Sequence, residues 1–425
     1  MNTSKLLFLS ALVGILIGVV GSFFHIAIAH IIDSKGTWFI EYWGSEHLWV
    51  PYVLSSTVML YTSIYLVKKF APEAAGSGIQ EIEGILVNQR KMNPLKVLLV
   101  KFFGGILSLG GGMVMGREGP TIQMGGALGN LVSNLAKLKD HDLKMLIAAG
   151  AGAGLAVAFN APLAGILFVL EEMRQQFKYN YISVQSLITA SVSSVIVLHL
   201  IMGDVFDIPM DILPSPEAYE IWIFAVFGVA FGIFGFFFNK ILLISLDLFS
   251  ALKGWKEELM IIAVGALVGL LVYLAPNSVD GGFRVIYTML DSTKALEMLL
   301  LLLVVRFIMT MLSYSTGAPG GVFAPMLALG TLFGLLFGYV ANDLFSSISI
   351  APAVFAVVGM GALFSSTVRA PLTGIVLVVE LTQNYTLILP LIVTSLVATI
   401  VVSSMGGRPL YTLLLERTLK RSKEV

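Results

Sequence analysis

Glu118 concentrates more chemistry than any other residue of this chain. It lies in a break after a long apolar run, flanked by Gly116, Gly119 and Pro120. An ionisable side chain at membrane depth is costly and is usually functional. Proline suits the first turn of a following helix. The carboxylate then falls at a helix N-terminus, where an anion would bind. Glu118 can compete there with a substrate anion and leave when protonated; a local ion pair with Arg117 is the alternative. Two other glycine-rich breaks accompany it. Ser77, between Gly76 and Gly78, can give one hydrogen bond to a ligand that the glycines let the backbone approach, or act as an ordinary N-cap. Val322 and Phe323, in GGVFAP at 320–325, offer backbone N–H groups with the ring as a plug, or the ring simply packs.

Further residues could move charge. Glu171 and Glu172 end an apolar run ahead of Arg174 and Lys178. Two acids at a helix C-terminus oppose its dipole, a mild cost, and they read as a solvated cytoplasmic edge. Tyr411 follows Arg408-Pro409-Leu410; its hydroxyl can reach a buried anion or anchor at the interface. Lys101 and Arg306, both inside apolar runs, raise the local positive potential or snorkel to the surface.

The elements that must position these groups are membrane helices. The 425 residues are 57% hydrophobic and 12% charged, against roughly 25% charged in soluble proteins. The 42 glycines suit close helix packing. Spanning apolar runs lie near 6–32, 48–67, 97–115, 145–170, 182–202, 221–243, 259–275, 296–314, 322–341, 350–379 and 386–405. Shorter helical pieces are predicted near 78–88, 121–136 and 409–419. Asn160-Ala161-Pro162 and Arg369-Ala370-Pro371 split two of the long runs. Residues 6–32 are read as a first membrane helix rather than a signal peptide. A formal net charge of zero gives no reason to expect nucleic acid. With no cysteine there is no disulfide, iron–sulfur cluster or thiolate metal site. The histidines have no metal-ligand spacing, so neither metal nor cofactor is expected.

The chain repeats itself. At an offset of 205, Lys101 meets Arg306, Leu107-Ser108 meets Leu312-Ser313, Gly116 meets Gly321 and Pro120 meets Pro325. After a four-residue shift, Ala161-Pro162-Leu163 meets Ala370-Pro371-Leu372 and Glu171 meets Glu380. Two homologous halves follow, 1–205 and 206–425, with no added cytoplasmic domain. Interrupted helices at matching places in two halves point to a transporter site. Basic clusters at Lys68, Lys69, Arg90, Lys91 and Lys96 and in the C-terminal tail, against an acidic stretch at 203–220, place both termini in the cytoplasm.

Read in order, GSGIQEIEG, KFFGG, GGGMVMGREGPTIQMGG, FNAPLAGILFVLEEM, STGAPGGVFAPMLALG, RAPLTGI and RPLY resemble the CLC family of chloride channels and proton/chloride antiporters, above all its bacterial antiporters. The resemblance covers nearly the whole chain and is far more specific than any one glycine motif. It implies an all-α integral membrane protein of inverted-repeat architecture, a homodimer with one pathway per subunit, and a bacterial inner membrane. It implies chloride and protons as cargo. Ser77 and Tyr411 match the family's hydroxyl donors, Val322 and Phe323 its backbone donors, and Gly119 joins the anion-binding set. Glu118 matches the external gate. Glu172 matches the internal proton-transfer acid, which separates antiporters from channels; a passive channel of the same fold is the alternative. Gln80 departs from the pattern, since the family usually has proline there. A hydrolase using Ser77 would need a base, and no histidine lies in a matching break.

Overall fold

The computed structural model describes residues 3–174, 180–203, 208, 210–290, 295–345 and 350–424. Its α-helices run in order as α1 (Thr3–Trp43), α2 (Trp49–Phe70), α3 (Ile79–Leu86), α4 (Pro94–Gly110), α5 (Glu118–Leu135), α6 (Asp140–Phe159), α7 (Pro162–Glu172) and α8 (Tyr181–Met202). The series then begins again with α9 (Ile221–Ala251), α10 (Trp255–Leu274), α11 (Phe283–Leu290), α12 (Leu296–Ser315), α13 (Phe323–Leu344), α14 (Pro352–Val368), α15 (Pro371–Thr382) and α16 (Ile388–Ser404), and α17 (Leu410–Glu424) follows. Among the described residues nine helices are long and apolar enough to cross a membrane.

The first eight helices and the next eight correspond one to one. α5 packs on α6 as α13 packs on α14, and α1 packs on α8 as α9 packs on α16. Both close pairs depend on glycine. A Cβ on Gly125 would strike the Gly150 carbonyl and the reverse, and Gly330 and Gly359 stand in the same relation. Such backbone approach is how helices associate without water to drive them. Asn160 and Arg369, both in the left-handed region, end α6 and α14. Pro162 and Pro371 then open α7 and α15, so the two long apolar runs break where the sequence indicates.

The halves are inverted, and two reciprocal contacts record it. Gly116 and Gly321 exchange backbone hydrogen bonds of 2.7 and 2.8 Å as an antiparallel bridge. Glu171, near the end of α7, accepts from the N–H groups of Leu372 (3.0 Å) and Thr373 (2.6 Å) at the start of α15. Glu380, near the end of α15, accepts from Leu163 (3.0 Å) and Ala164 (2.8 Å) at the start of α7. Each helix therefore caps the other's N-terminus, which requires them to run antiparallel.

Several expectations change. The first helix extends past residue 32 to Trp43; its added turns bury Lys35 and set Phe39 edge-on to Tyr52 of α2 at 4.8 Å. α5 begins at Glu118 rather than 121, putting the carboxylate inside the first turn. α11 was not expected, being too short to read as a span. Glu171 does not lie on a solvated edge, because it caps α15. Lys101 and Arg306 do not snorkel; both are fully buried. Lys178, Asp204, Asp207 and the boundary at 205/206 lie outside the described residues.

Candidate functional site

Lys101 and Arg306 show how the loops of the site are held. Lys101 Nζ donates to the carbonyls of Ala74 (2.9 Å) and Gly76 (2.6 Å). Arg306 donates to Asn277 (2.9 Å), Val279 (2.7 Å) and Asp280 (3.0 Å). Each cation thus ties down the loop that feeds a short helix, α3 in one half and α11 in the other. In the first half that loop carries Ser77. Gly78 caps α3 at φ 80°, and a Cβ there would overlap the side chain of Gln123 from α5. Gln123 in turn donates to the Glu73 carbonyl at 2.7 Å. The Ser77 loop is therefore fixed from α4 below and α5 alongside.

α5 brings Glu118 to this loop. A Cβ on Gly119 would lie 2.8 Å from Ser77 Cα, so only glycine admits the contact. The Glu118 carboxyl is fully buried and folds back against Gly116. Arg117 does not face inward with it: its Nε donates to the Ala158 carbonyl at 2.9 Å, its Nη1 meets His25 and its guanidinium lies over the Phe283 ring. α13 arrives from the other half. A Cβ on Gly321 would sit 3.1 Å from Gly119 N, so the starts of α5 and α13 converge. The first-turn N–H groups of a helix have no intrahelical acceptor, and Phe323 and Ala324 hold those positions in α13. The Phe323 ring is wedged among Phe159, Phe168 and Phe364, with centroids 5.6, 5.8 and 4.4 Å away.

Tyr411 completes the group. The segment before it is held by Arg369 Nη1 on the Gly407 carbonyl (2.8 Å) and Asn239 Nδ2 on the Arg408 carbonyl (3.4 Å). Arg408 also pairs with Glu416 one helical stretch later; its hydrogen bond and charge hold the Glu416 carboxyl below the usual range. Tyr411 is fully buried, and its hydroxyl has no hydrogen-bond partner among the described residues. It lies within electrostatic reach of Tyr314, Glu172, Glu118 and Glu83. Its O–H is one hydrogen-bond donor inside the buried group.

Two cavities approach this plug. One of 390 Å³ reaches Gly76, Gln80 and Tyr314 and is bordered by Lys68, Arg90 and Arg417. The other, of 230 Å³, reaches Gly116, Arg117 and Glu118. A third cavity, containing Tyr52, shares Asp33, Asp280 and Arg284 with the second. Tyr52 and Lys68 mark opposite ends of α2, about 24 Å apart at 1.5 Å per residue. The cavities therefore open on opposite sides, with Ser77 and Glu118 between them.

Two residues that the sequence did not single out belong here. Tyr314 hydrogen-bonds Ser77 at 3.4 Å and lines the larger cavity; in the repeat its counterpart is Leu109, so the internal alignment hides it. Glu83 is buried in α3 facing Glu172, and among the described residues no N–H group donates to either Glu83 oxygen or to Glu172 Oε1. Glu81, two residues away, is instead held by Arg90 through bonds of 2.8 and 3.2 Å. The E-x-E spacing was visible, but the facing acid comes from α7. Two carboxyls enclosed together cannot comfortably both carry charge, so the pair suits holding and passing a proton.

The voltage gated chloride channel family matches residues 56–403. The chain belongs to the CLC family. A CLC relative from Vibrio campbellii, named H(+)/Cl(-) exchange transporter ClcA, is 48% identical over 99% of this chain and 91% of its own length. A crystal structure of a slow cyanobacterial Cl-/H+ antiporter superposes with a TM-score of 0.94 at 38% identity, covering 99% of both chains. A eukaryotic CLC transporter superposes at 0.82 and 25% identity over 98% of this chain and 74% of its own. The CLC fold thus extends over the inverted repeat and the buried plug alike, in an integral, multi-pass membrane protein.

Proposed function

We infer that this chain is a secondary-active antiporter exchanging chloride for protons. The observation that carries the reading is a buried acid pair, Glu83 and Glu172, neither of which lines the cavity that reaches Gly76 and Tyr314 beside Ser77. A passive anion channel has no use for such a pair. Naming of the Vibrio relatives and the cyanobacterial neighbour as exchangers agrees with it.

Chloride would sit between the Ser77 and Tyr411 hydroxyls, with backbone N–H groups of Val322, Phe323 and Gly119 as further donors. Neutral donors aimed at a dehydrated anion replace its water, and the convergent helix ends favour its charge. The Glu118 carboxylate competes for the same donors. Protonation removes its charge, lets it leave toward the Arg117 cavity, and opens the anion path. The proton then passes between Glu118 and Glu172, so the two cargoes share only the Glu118 end. Basic residues around the larger cavity favour the cytoplasmic side for it and for both termini, and the family resemblance adds a bacterial inner membrane. The family resemblance adds a homodimer with one such pathway in each subunit.

Purified protein in liposomes, with chloride efflux and proton uptake recorded together, tests the reading. Opposed chloride and proton gradients should give a reversal potential set by both. A reversal potential that followed chloride alone would establish the channel instead.

A further inference from the structure

Ser77 is the anion ligand whose own hydrogen bonds are most completely described, and its proton is already taken. Ser77 Oγ donates to Gln80 Oε1 at 2.9 Å. It accepts from Ile79 N–H and from the Tyr314 hydroxyl, both at 3.4 Å. A serine hydroxyl has one donor and two acceptor positions, so all three are in use. With its proton on Gln80 and both acceptor positions filled, Ser77 has no hydroxyl hydrogen left to offer an anion. Gln80 stands in the first turn of α3, is 8% exposed and borders the 390 Å³ cavity beside Gly76 and Tyr314. Tyr411 differs, for among the described residues its hydroxyl has no acceptor to give up.

We propose that Gln80 sets the affinity of the anion site by competing, through its carboxamide oxygen, with the anion for the single proton of Ser77. Chloride arriving beside Ser77 must draw that proton away from Gln80, and part of the new hydrogen bond is offset by the one broken. The amide is therefore a built-in opponent of anion binding from the larger-cavity side, and it hastens release by reclaiming the proton as chloride leaves. Its effect passes entirely through Ser77, which makes Gln80 a positioning residue for that hydroxyl. The inference rests on the reading of Ser77 as an anion ligand.

Calorimetry of chloride binding to the purified full-length protein provides the test. Gln80→Leu keeps the volume and the helical N–H but removes the acceptor, and Gln80→Met is a second choice of similar length should the leucine variant misfold. Either should tighten chloride about fivefold to tenfold, the scale of one net hydrogen bond. The same substitution in a Ser77→Ala background should leave affinity where Ser77→Ala alone puts it. Weaker binding in Gln80→Leu would overturn the proposal by making the amide itself a donor to the anion. An equal shift in both backgrounds would overturn it by showing a packing effect independent of Ser77. The supporting reading fails in a different way: chloride affinity unchanged by Ser77→Ala would remove Ser77 from the site and the inference with it. A Ser77-dependent affinity that ignores Gln80 would sink the inference alone.

Discussion

In the first half the broken helix α5 begins with a carboxylate; in the second half the matching position of α13 carries a phenyl ring. Glu118 and Phe323 are equivalent at the offset of 205, and the glycines just ahead of them form the bridge between the halves. The same contrast recurs wherever function is proposed. At the offset of 204 that relates α3 to α11, Ser77 meets Gly281, Gln80 meets Arg284 and Glu83 meets Tyr287. At 209, Glu172 meets Leu381. The residues that agree across the halves do structural work. Lys101 and Arg306 hold loops, Glu171 and Glu380 cap helices, and Gly125 and Gly330 admit close packing. Symmetry supplies a frame with two converging helix ends, and in the proposed function departures from symmetry give that frame one anion path and one separate proton path.

The strongest way to break this comparison is to make the halves more alike at the acids. Glu118→Gln imitates the protonated gate permanently, so chloride should move without protons and without pH dependence. Glu172→Gln should likewise abolish proton uptake in liposomes while chloride efflux continues. Proton pumping that survived in either variant would place the coupling outside the asymmetric residues. Glu171→Gln, about 100° around the helix, removes the same charge from a cap and should leave proton coupling in place.

Much of this frame was legible because it depends on local rules. A charge inside an apolar run marked Glu118, and proline after Asn160-Ala161 and Arg369-Ala370 marked the two helix breaks. The repeat was readable where residue identity is forced, at glycines and prolines. What stayed hidden depends on contacts between distant segments. Nothing near Lys101 in sequence says that its charge ends on the Gly76 carbonyl, and nothing near Glu83 says that Glu172 faces it. α11 escaped because eight residues with Arg284 among them do not form a spanning run, although the correspondence with α3 could have found it.

The matched cations sharpen the comparison next. Lys101→Met and Arg306→Met both leave buried carbonyls without their donor, and each should destabilise the fold by about 2–4 kcal/mol. Only Lys101 holds the loop of Ser77. Thermal unfolding in detergent should therefore report both losses, while chloride calorimetry should weaken in Lys101→Met and stay near wild type in Arg306→Met. Equal loss of chloride affinity would mean that the loop before α11 also shapes the site. A smaller effect belongs to the residue with no repeat counterpart in α1–α16. Tyr411→Phe removes one hydroxyl donor and should cost about 1–2 kcal/mol of chloride affinity, with little change in melting. Unchanged affinity would take Tyr411 out of the anion site.

The smallest effect tests symmetry itself. Glu171 and Glu380 cap each other's helices through matching pairs of N–H groups, so Glu→Gln at either position removes a charge from a helix N-terminus and one of two acceptors. Each should cost about 1 kcal/mol, the usual worth of a cap. The two are not quite equal, because Glu171 Oε2 also accepts from the Thr373 hydroxyl at 2.7 Å, and the matching residue in the other half is Ala164. Glu171→Gln should therefore be the more damaging by roughly 0.5 kcal/mol, a fraction of a hydrogen bond. Thr373→Ala should erase that difference while leaving the Glu380 cap untouched. If the two glutamates still differed in melting after Thr373→Ala, the α7–α15 contact would not be the symmetric joint that the reciprocal bonds describe. If neither variant changed melting, the joint would contribute nothing to holding the halves together, and α2 against α10 would carry that role.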